Sequence, residues 1–327
     1  MMETQPIFRL LDVEKVYRID RSGWARLGGA PPRRLAALDG VRLTVEPGDS
    51  VALVGESGSG KSTLLRVLLG LTEASNGRAL YREDDIETLA DDKRRAFQRD
   101  VAMVYQDARG SLNPRLSVLD LVGEPLRQHA LCPASALHRR VVSLLERVGL
   151  PAETVHRYPS QLSGGQVRRV AIARALASEP RVIVADEAVS GLDVSTQAQL
   201  LNLLRGLQQE MGLTLLFITH DLAVASYLCR RIAVMYLGRI VETGPTREVL
   251  RQPLHPYTRA LLEASPRFFQ PIAETLAGEI PSPIDLPPGC RFAGRCPRAA
   301  ADCRAHEPPL GPAGHDRDVA CLHPLVD

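Results

Sequence analysis

The sequence predicts an α/β fold in which a parallel sheet is covered on both faces by helices. Three observations carry that expectation. The segments Ser50–Val54, Val101–Tyr105, Val182–Ala185 and Thr214–Ile218 are short, rich in branched side chains and apolar almost throughout. A strand without polar alternation has no solvent face, so both its faces are packed. Amphipathic stretches lie between these runs; in Gln197–Gln209 the side chains of Leu200, Leu203, Leu204 and Leu207 share one helical face. A glycine-rich loop beginning at Gly55 joins the first run to an apolar helix predicted over Ser62–Leu69.

The remaining elements follow in chain order. Phe8–Ile19 and Ala37–Val45 read as further strands, and Trp24–Arg34, within an insertion over 20–36, reads as a loop rich in Gly, Pro and Arg. A helix is expected over Val167–Ala177. The tail differs in kind. Residues 265–327 make up 19% of the chain yet hold 11 of its 24 prolines. Such a segment forms neither a long helix nor a central strand. It has few large aliphatics, so it needs a staple or a surface to fold on.

Composition removes several function classes. Lys+Arg minus Asp+Glu is 40 − 38 = +2 over 327 residues, so no basic field points to nucleic acid. No apolar run approaches the roughly 18–20 residues of a membrane helix. Met1–Arg9 lacks the apolar stretch of a signal peptide, and the expectation is a cytosolic chain with a substantial core.

Gly55-Glu56-Ser57-Gly58-Ser59-Gly60-Lys61-Ser62 satisfies G-x-x-x-x-G-K-[ST] at every fixed position, between a strand and a helix. Glycines let backbone N–H groups wrap a phosphate chain, and the helix N-terminus adds partial positive charge. Lys61 supplies a full charge to the β- and γ-phosphates, and the Ser62 hydroxyl suits Mg²⁺. The strand ending at Asp186 and Glu187 gives two carboxylates. Alone they would be a solvated strand end. Beside a phosphate loop, Asp186 suits Mg²⁺ and Glu187 suits activation of a water. Leu162-Ser163-Gly164-Gly165-Gln166 opens the next helix; Ser163 is a good N-cap and the glycines leave the helix end bare for a phosphate. Two anion sites on one chain mean two nucleotides, or one nucleotide held between two chains. A small-molecule kinase does not account for the second site.

These motifs, with Gln106 after a strand, Ser190-Gly191-Leu192-Asp193 and His220, stand in the order found in ABC transporter ATPases, which the chain resembles over roughly residues 7–242. Gly110–Arg115, His255–Thr258 and Pro287–Phe292 resemble the ATPase subunits of oligopeptide/dipeptide importers, most of all the dipeptide type's second ATPase. The resemblance implies a RecA-like P-loop NTPase core over 7–264, with a helical subdomain at about 107–165 and an antiparallel β subdomain. A C-terminal extension over 265–327 would follow. It implies that Tyr17 stacks on adenine and that Gly55, Glu56, Ser57, Gly58, Ser59, Gly60, Lys61, Ser62, Thr63 and Gln106 contact ATP. Ser62, Gln106 and Asp186 would hold Mg²⁺. Ser163, Gly164, Gly165 and Gln166 would close on the γ-phosphate of ATP bound to an opposing subunit. Asp193 would cross that interface, and Glu187 and His220 would be catalytic. The expected partners are a second ATPase in a heterodimer, two permeases and an external solute-binding protein, with no nucleic acid. The chain would lie on the cytoplasmic face of the inner membrane and hydrolyse ATP to drive peptide uptake. The family usually has Pro after the catalytic Glu; here it is Ala188, as in some nickel-importer relatives. An importer of nickel or a metal chelate is therefore an alternative. A soluble ABC ATPase acting on ribosomes or DNA is another, opposed by the absence of a basic excess and of a long coiled-coil insertion.

Four of the six cysteines crowd the tail in the order Cys290-x5-Cys296-x6-Cys303-x17-Cys321. Disulfides are improbable in a cytosolic protein of this size. Four thiolates suit Zn²⁺ or a [4Fe–4S] cluster. Zinc ribbons prefer closer pairs, and the resemblance to peptide-importer ATPases favours the cluster. His306, His315 and His323 lie nearby without being needed as ligands.

Overall fold

The computed structural model describes residues 5–19, 33–265, 281–284, 286–314 and 316–325. The chain divides into two compact units. The first contains residues up to 46, 51–88 and 219 onward; the second contains 47–50 and 89–218.

In the first unit, Phe8–Ile19 pairs antiparallel with Arg33–Val45 on one side and Asn76–Tyr81 on the other. Phe8 stands opposite Val45 and Tyr81. Its buried residues Phe8, Leu10 and Val13 meet a buried set from its neighbour, Leu38, Val41 and Val45. This half-buried sheet is the antiparallel β subdomain that the resemblance implies. A second sheet begins with Ser50–Val54, which runs parallel to Arg231–Tyr236, Val51 opposite Arg231. Arg231–Tyr236 pairs antiparallel with Arg239–Pro245. Short strands from the tail, Asp318–Val319 and Gly311–Pro312, complete that edge. Pro312 can sit there because an edge strand needs no ladder N–H from it.

The tail is held by polar contacts as much as by apolar ones. Glu242 is fully buried. It accepts the Leu254 N–H at 2.9 Å, the His255 N–H at 3.0 Å and the Arg317 guanidinium at 2.7 Å. A buried carboxylate is tolerable only with such partners. Among its described residues the tail's regular structure is otherwise one short helix, Ala301–Ala305. This is the sparse structure that a proline-rich segment allows.

In the second unit, Val101–Val104, Val182–Asp186 and Thr214–Ile218 form parallel pairs, with Val101 opposite Val182 and Val182 opposite Thr214. Helices Asp91–Asp100, Val118–Gln128, Leu137–Arg147, Gly164–Ala177 and Val194–Met211 accompany them. Residues 105–163 contain helices and turns and no strand. Ser117, Ser163 and Asp193 cap three of these helices with their side-chain oxygens.

The predicted strands Phe8–Ile19, Ser50–Val54 and Thr214–Ile218 hold to the residue. Other boundaries move: the strand expected over Val182–Ala185 runs on to Asp186, and the helices expected over Ser62–Leu69 and Val167–Ala177 span Lys61–Leu68 and Gly164–Ala177. The strand expected from Ala37 starts at Arg33, because Arg33 and Arg34 pair with Ile19 and Arg18 across the sheet. That part of the expected insertion is therefore strand; residues 20–32 lie outside the described residues. The strand expected to reach Tyr105 stops at Val104, leaving the Tyr105 side chain exposed. No helix among the described residues is long and apolar enough to cross a membrane.

Candidate active site

The phosphate loop turns between Ser50–Val54 and the helix Lys61–Leu68. Its geometry demands glycine at two points. Gly55 has φ +151°, and a Cβ there would lie 2.2 Å from the Met235 carbonyl oxygen. Gly60 has φ +105°, and its Cβ would lie 2.5 Å from the Ala37 carbonyl oxygen. The backbone is thus pressed against its neighbours with no room for a side chain. Lys61 is buried, and its ammonium donates to the Gly55 carbonyl at 2.7 Å, the Glu56 carbonyl at 2.8 Å and the Ser59 hydroxyl at 3.2 Å. A cation is fixed at the centre of a loop built of backbone, the requirement for holding a polyanion. Ser57, Gly58 and Ser62 are exposed around it, and Thr63 is half-buried. Glu56 turns its carboxylate to Arg295. Tyr17 lies half-buried on the antiparallel sheet, with the Lys15 ammonium 5.3 Å from its ring centroid. His220 is exposed just before Asp221, whose carboxylate caps Leu222–Leu228.

In the second unit, Asp186 closes the strand Val182–Asp186 and Glu187 follows at φ +43°. A left-handed Glu is strained backbone, of the kind found at functional sites. Its N–H donates to the Ile218 carbonyl at 3.0 Å, and its carboxylate accepts the Gln106 side-chain amide at 2.8 Å. The structure thus brings Gln106 and Glu187 together. Ser163 is exposed; its hydroxyl accepts the Gln166 N–H at 3.3 Å while the Gln166 side chain accepts the Ser163 N–H at 3.0 Å. This reciprocal box fixes the start of the helix Gly164–Ala177. Asp193 accepts the Thr196 N–H at 2.9 Å, and that bond holds its carboxyl below the usual carboxylate range.

One residue of this unit escaped sequence reasoning. Arg168 donates to the Ala188 carbonyl at 2.8 Å and to the Ser190 carbonyl. It ties the helix opened by Ser163 to the turn that follows Glu187. Burial lowers its guanidinium's pKa from the ordinary value. Its place two residues after Gln166 was the available signal.

Cys290, Cys296, Cys303 and Cys321 line one cavity together with His255, Phe292 and His323. Burial and the neighbouring thiols push Cys290 and Cys296 up, and Cys321 up to about 11. Thiols that hinder one another's ionisation in an apolar cavity form a soft donor set suited to a thiophilic cation. The donors fit a metal. The sulfurs are not grouped as around one ion. Thiolates on tetrahedral zinc stand about 3.8 Å apart, from Zn–S bonds of about 2.3 Å. Among the described residues, the metal-capable atoms that close to within 4.8 Å of one another are those of Asp302, Cys303 and His323. His323 is held there by Asp302, 2.9 Å away. His315 lies outside the described residues.

Residues 38–190 match the ABC transporter family, and residues 241–303 match the oligopeptide/dipeptide transporter C-terminal region. The chain is 45% identical over 299 residues to the oligopeptide transport ATP-binding protein OppF of Escherichia coli, covering 89% of each. This chain belongs to the ATP-binding proteins of ABC transporters, in the oligopeptide/dipeptide group. It is 41% identical over 329 residues to the dipeptide transport ATP-binding protein DppF of Haemophilus influenzae, covering 98% of each. A solved dimeric bacterial ABC transporter cassette, MJ0796, matches 73% of this chain and 99% of its own length, with 32% identity and a TM-score of 0.63. A post-hydrolysis state of the same cassette, bound to ADP and Pi, matches with a TM-score of 0.64. As a member of this family the chain is an ATP hydrolase that uses ATP and Mg²⁺.

Arg168→Met is expected to lower ATP turnover about tenfold and to change ATP affinity much less, since one or two charge-assisted hydrogen bonds are worth about that factor. Steady-state ATPase assays alongside nucleotide titration would check the split.

Proposed function

We propose that this chain is the ATP-hydrolysing subunit of an importer of di- or oligopeptides. The observation that carries the reading is the phosphate loop with Lys61 fixed at its centre by backbone carbonyls. The second unit, by itself, has a strand ending in Asp186 and a Gln106–Glu187 contact. Residues 7–264 are the ATPase domain, with its helical subdomain at about 107–165, and 265–327 form the extension. The exposed Ser163 at the helix N-terminus suits ATP presented by another subunit. That subunit is a related second ATPase in a heterodimer. Two permeases and an external solute-binding protein complete the assembly, and the chain sits peripherally on the cytoplasmic face of the inner membrane. The group's peptide-transport names support peptide as the cargo, and nickel or a metal chelate is the alternative left by Ala188.

The roles are those that membership of the family implies for these positions. Gly55–Gly60 wrap the phosphates with N–H groups, and Lys61 meets the β- and γ-phosphates. Ser62, Gln106 and Asp186 would hold Mg²⁺, which neutralises charge on those phosphates. Glu187 accepts the proton of the attacking water at its carboxylate, and His220 orients the γ-phosphate and that water. Gln106 contacts Glu187 directly, so its position reports on the catalytic carboxylate. Ser163, Gly164, Gly165 and Gln166 complete the partner's site, Asp193 crosses the interface, and Tyr17 stacks on adenine. Closure on ATP and opening after hydrolysis give the two states that a permease needs.

Cys290, Cys296, Cys303 and Cys321 are the ligands of a [4Fe–4S] cluster. The wide, uneven spacing of the cysteines along the chain supports it, since zinc ribbons prefer closer pairs, and so does the resemblance to peptide-importer ATPases. The cluster would staple a tail that has little core of its own.

Two experiments test these readings. Glu187→Gln in the assembled transporter should leave ATP binding intact and abolish turnover; turnover at the wild-type rate would remove Glu187 from the mechanism. Protein prepared without oxygen should contain about four iron and four sulfide per chain. Zinc without sulfide would exclude the cluster and leave the zinc reading.

A further inference from the structure

The loop between the first two cluster-type cysteines does more than carry ligands. Residues 290–296 hold two arginines against other parts of the first unit, one on each side of Phe292 in sequence. Arg291 bonds Asp39, Glu307 and the Leu237 carbonyl. Arg295, whose side chain is only 5% exposed, reaches the second residue of the phosphate loop. Its guanidinium grips both carboxylate oxygens of Glu56, at 2.8 and 3.1 Å. The backbone of Glu56 is held as well, its N–H donating to the hydroxyl of Tyr257 at 2.9 Å. Tyr257 is fully buried and packs against Tyr236 and Phe292, with ring centroids 4.5 and 5.4 Å away. Arg295 also lies over the Tyr236 ring, 5.9 Å from its centroid.

A carboxylate inside a loop that binds a polyanion works against binding unless it is neutralised. Arg295 neutralises it and is itself too buried to be replaced by solvent cations. The bidentate fork also fixes the direction of the Glu56 side chain, which a single-point ammonium does not. The aromatic cluster beneath adds rigidity, so the start of the loop is braced through both backbone and side chain.

We propose that Arg295 is a positioning residue for ATP: the cysteine-bearing segment supplies the counter-charge and brace of the phosphate loop, so the integrity of that segment sets nucleotide affinity. The proposal rests on reading residues 55–63 as the phosphate site. By linkage, nucleotide should in turn stabilise the segment.

The test is a charge-rescue cycle on the full-length chain in its assembled complex, with metal content matched between variants. The ATP Kd is read by titration, and KM and kcat by steady-state hydrolysis. Arg295→Met strands the Glu56 charge and should weaken ATP binding about tenfold, the order of one partly buried charged hydrogen bond. KM should rise more than kcat falls. Adding Glu56→Gln should restore most of the affinity, and Arg295→Lys, which keeps the charge without the fork, should fall between wild type and Arg295→Met. Glu56→Gln alone should bind ATP at least as tightly as wild type, and this arm decides the matter even when Arg295→Met does not fold. An unchanged Kd in Arg295→Met, no rescue by Glu56→Gln, or weaker binding by Glu56→Gln alone would overturn the proposal and leave Arg295 a staple of the tail. A wild-type complex that binds no ATP would overturn the phosphate-site reading, and this inference with it.

Discussion

The close approach of Gly55 to the Met235 carbonyl oxygen sets the geometry on which the rest of the first unit depends. A Cβ at residue 55 would come within 2.2 Å of that oxygen, so no other residue lets the chain leave Ser50–Val54 at this angle. The parallel pairing of that strand with Arg231–Tyr236 places Met235 there. Lys61 then closes the turn from inside through the Gly55 and Glu56 carbonyls. Sheet register, loop curvature and the position of one ammonium are therefore a single problem with one solution.

The same loop explains why the tail belongs to the ATPase physically. A proline-rich segment cannot fold on apolar burial alone, and this one is fixed by edge pairing, by Arg317 on the buried Glu242, and by Arg291 and Arg295. Arg295 lands on the phosphate loop itself, while the edge pairing and Arg317 land on Arg239–Pro245, which pairs with Arg231–Tyr236, the neighbour of Ser50–Val54. A metal held by the four cysteines would add its binding free energy to that arrangement.

Much of this was legible in the sequence, and the physical reason is locality. Strands such as Thr214–Ile218 announce themselves because burial on both faces leaves no polar position. The phosphate loop and the cap at Ser163 are contiguous motifs whose chemistry needs only neighbouring residues. What escaped depends on distant pairing. Arg33 and Arg34 are strand residues only because Phe8–Ile19 pairs with them. Arg295 and Glu56 are 239 residues apart, and Tyr257 and Glu56 are 201 apart. Arg168 reads as an ordinary helix arginine until the turn after Glu187 is placed beside it. The cysteine spacing identified a donor set and could not give the separation of the sulfurs, which depends on how the tail folds back.

The central claim is that this ATPase works as part of a membrane importer. The most direct measurement is of what it associates with in its native membranes. The tagged chain would be extracted in mild detergent and its co-purifying proteins identified by mass spectrometry. The account predicts two permeases and a second, related ATPase in stoichiometric amounts. Ribosomal proteins or DNA-repair factors, with no permease among them, would contradict it.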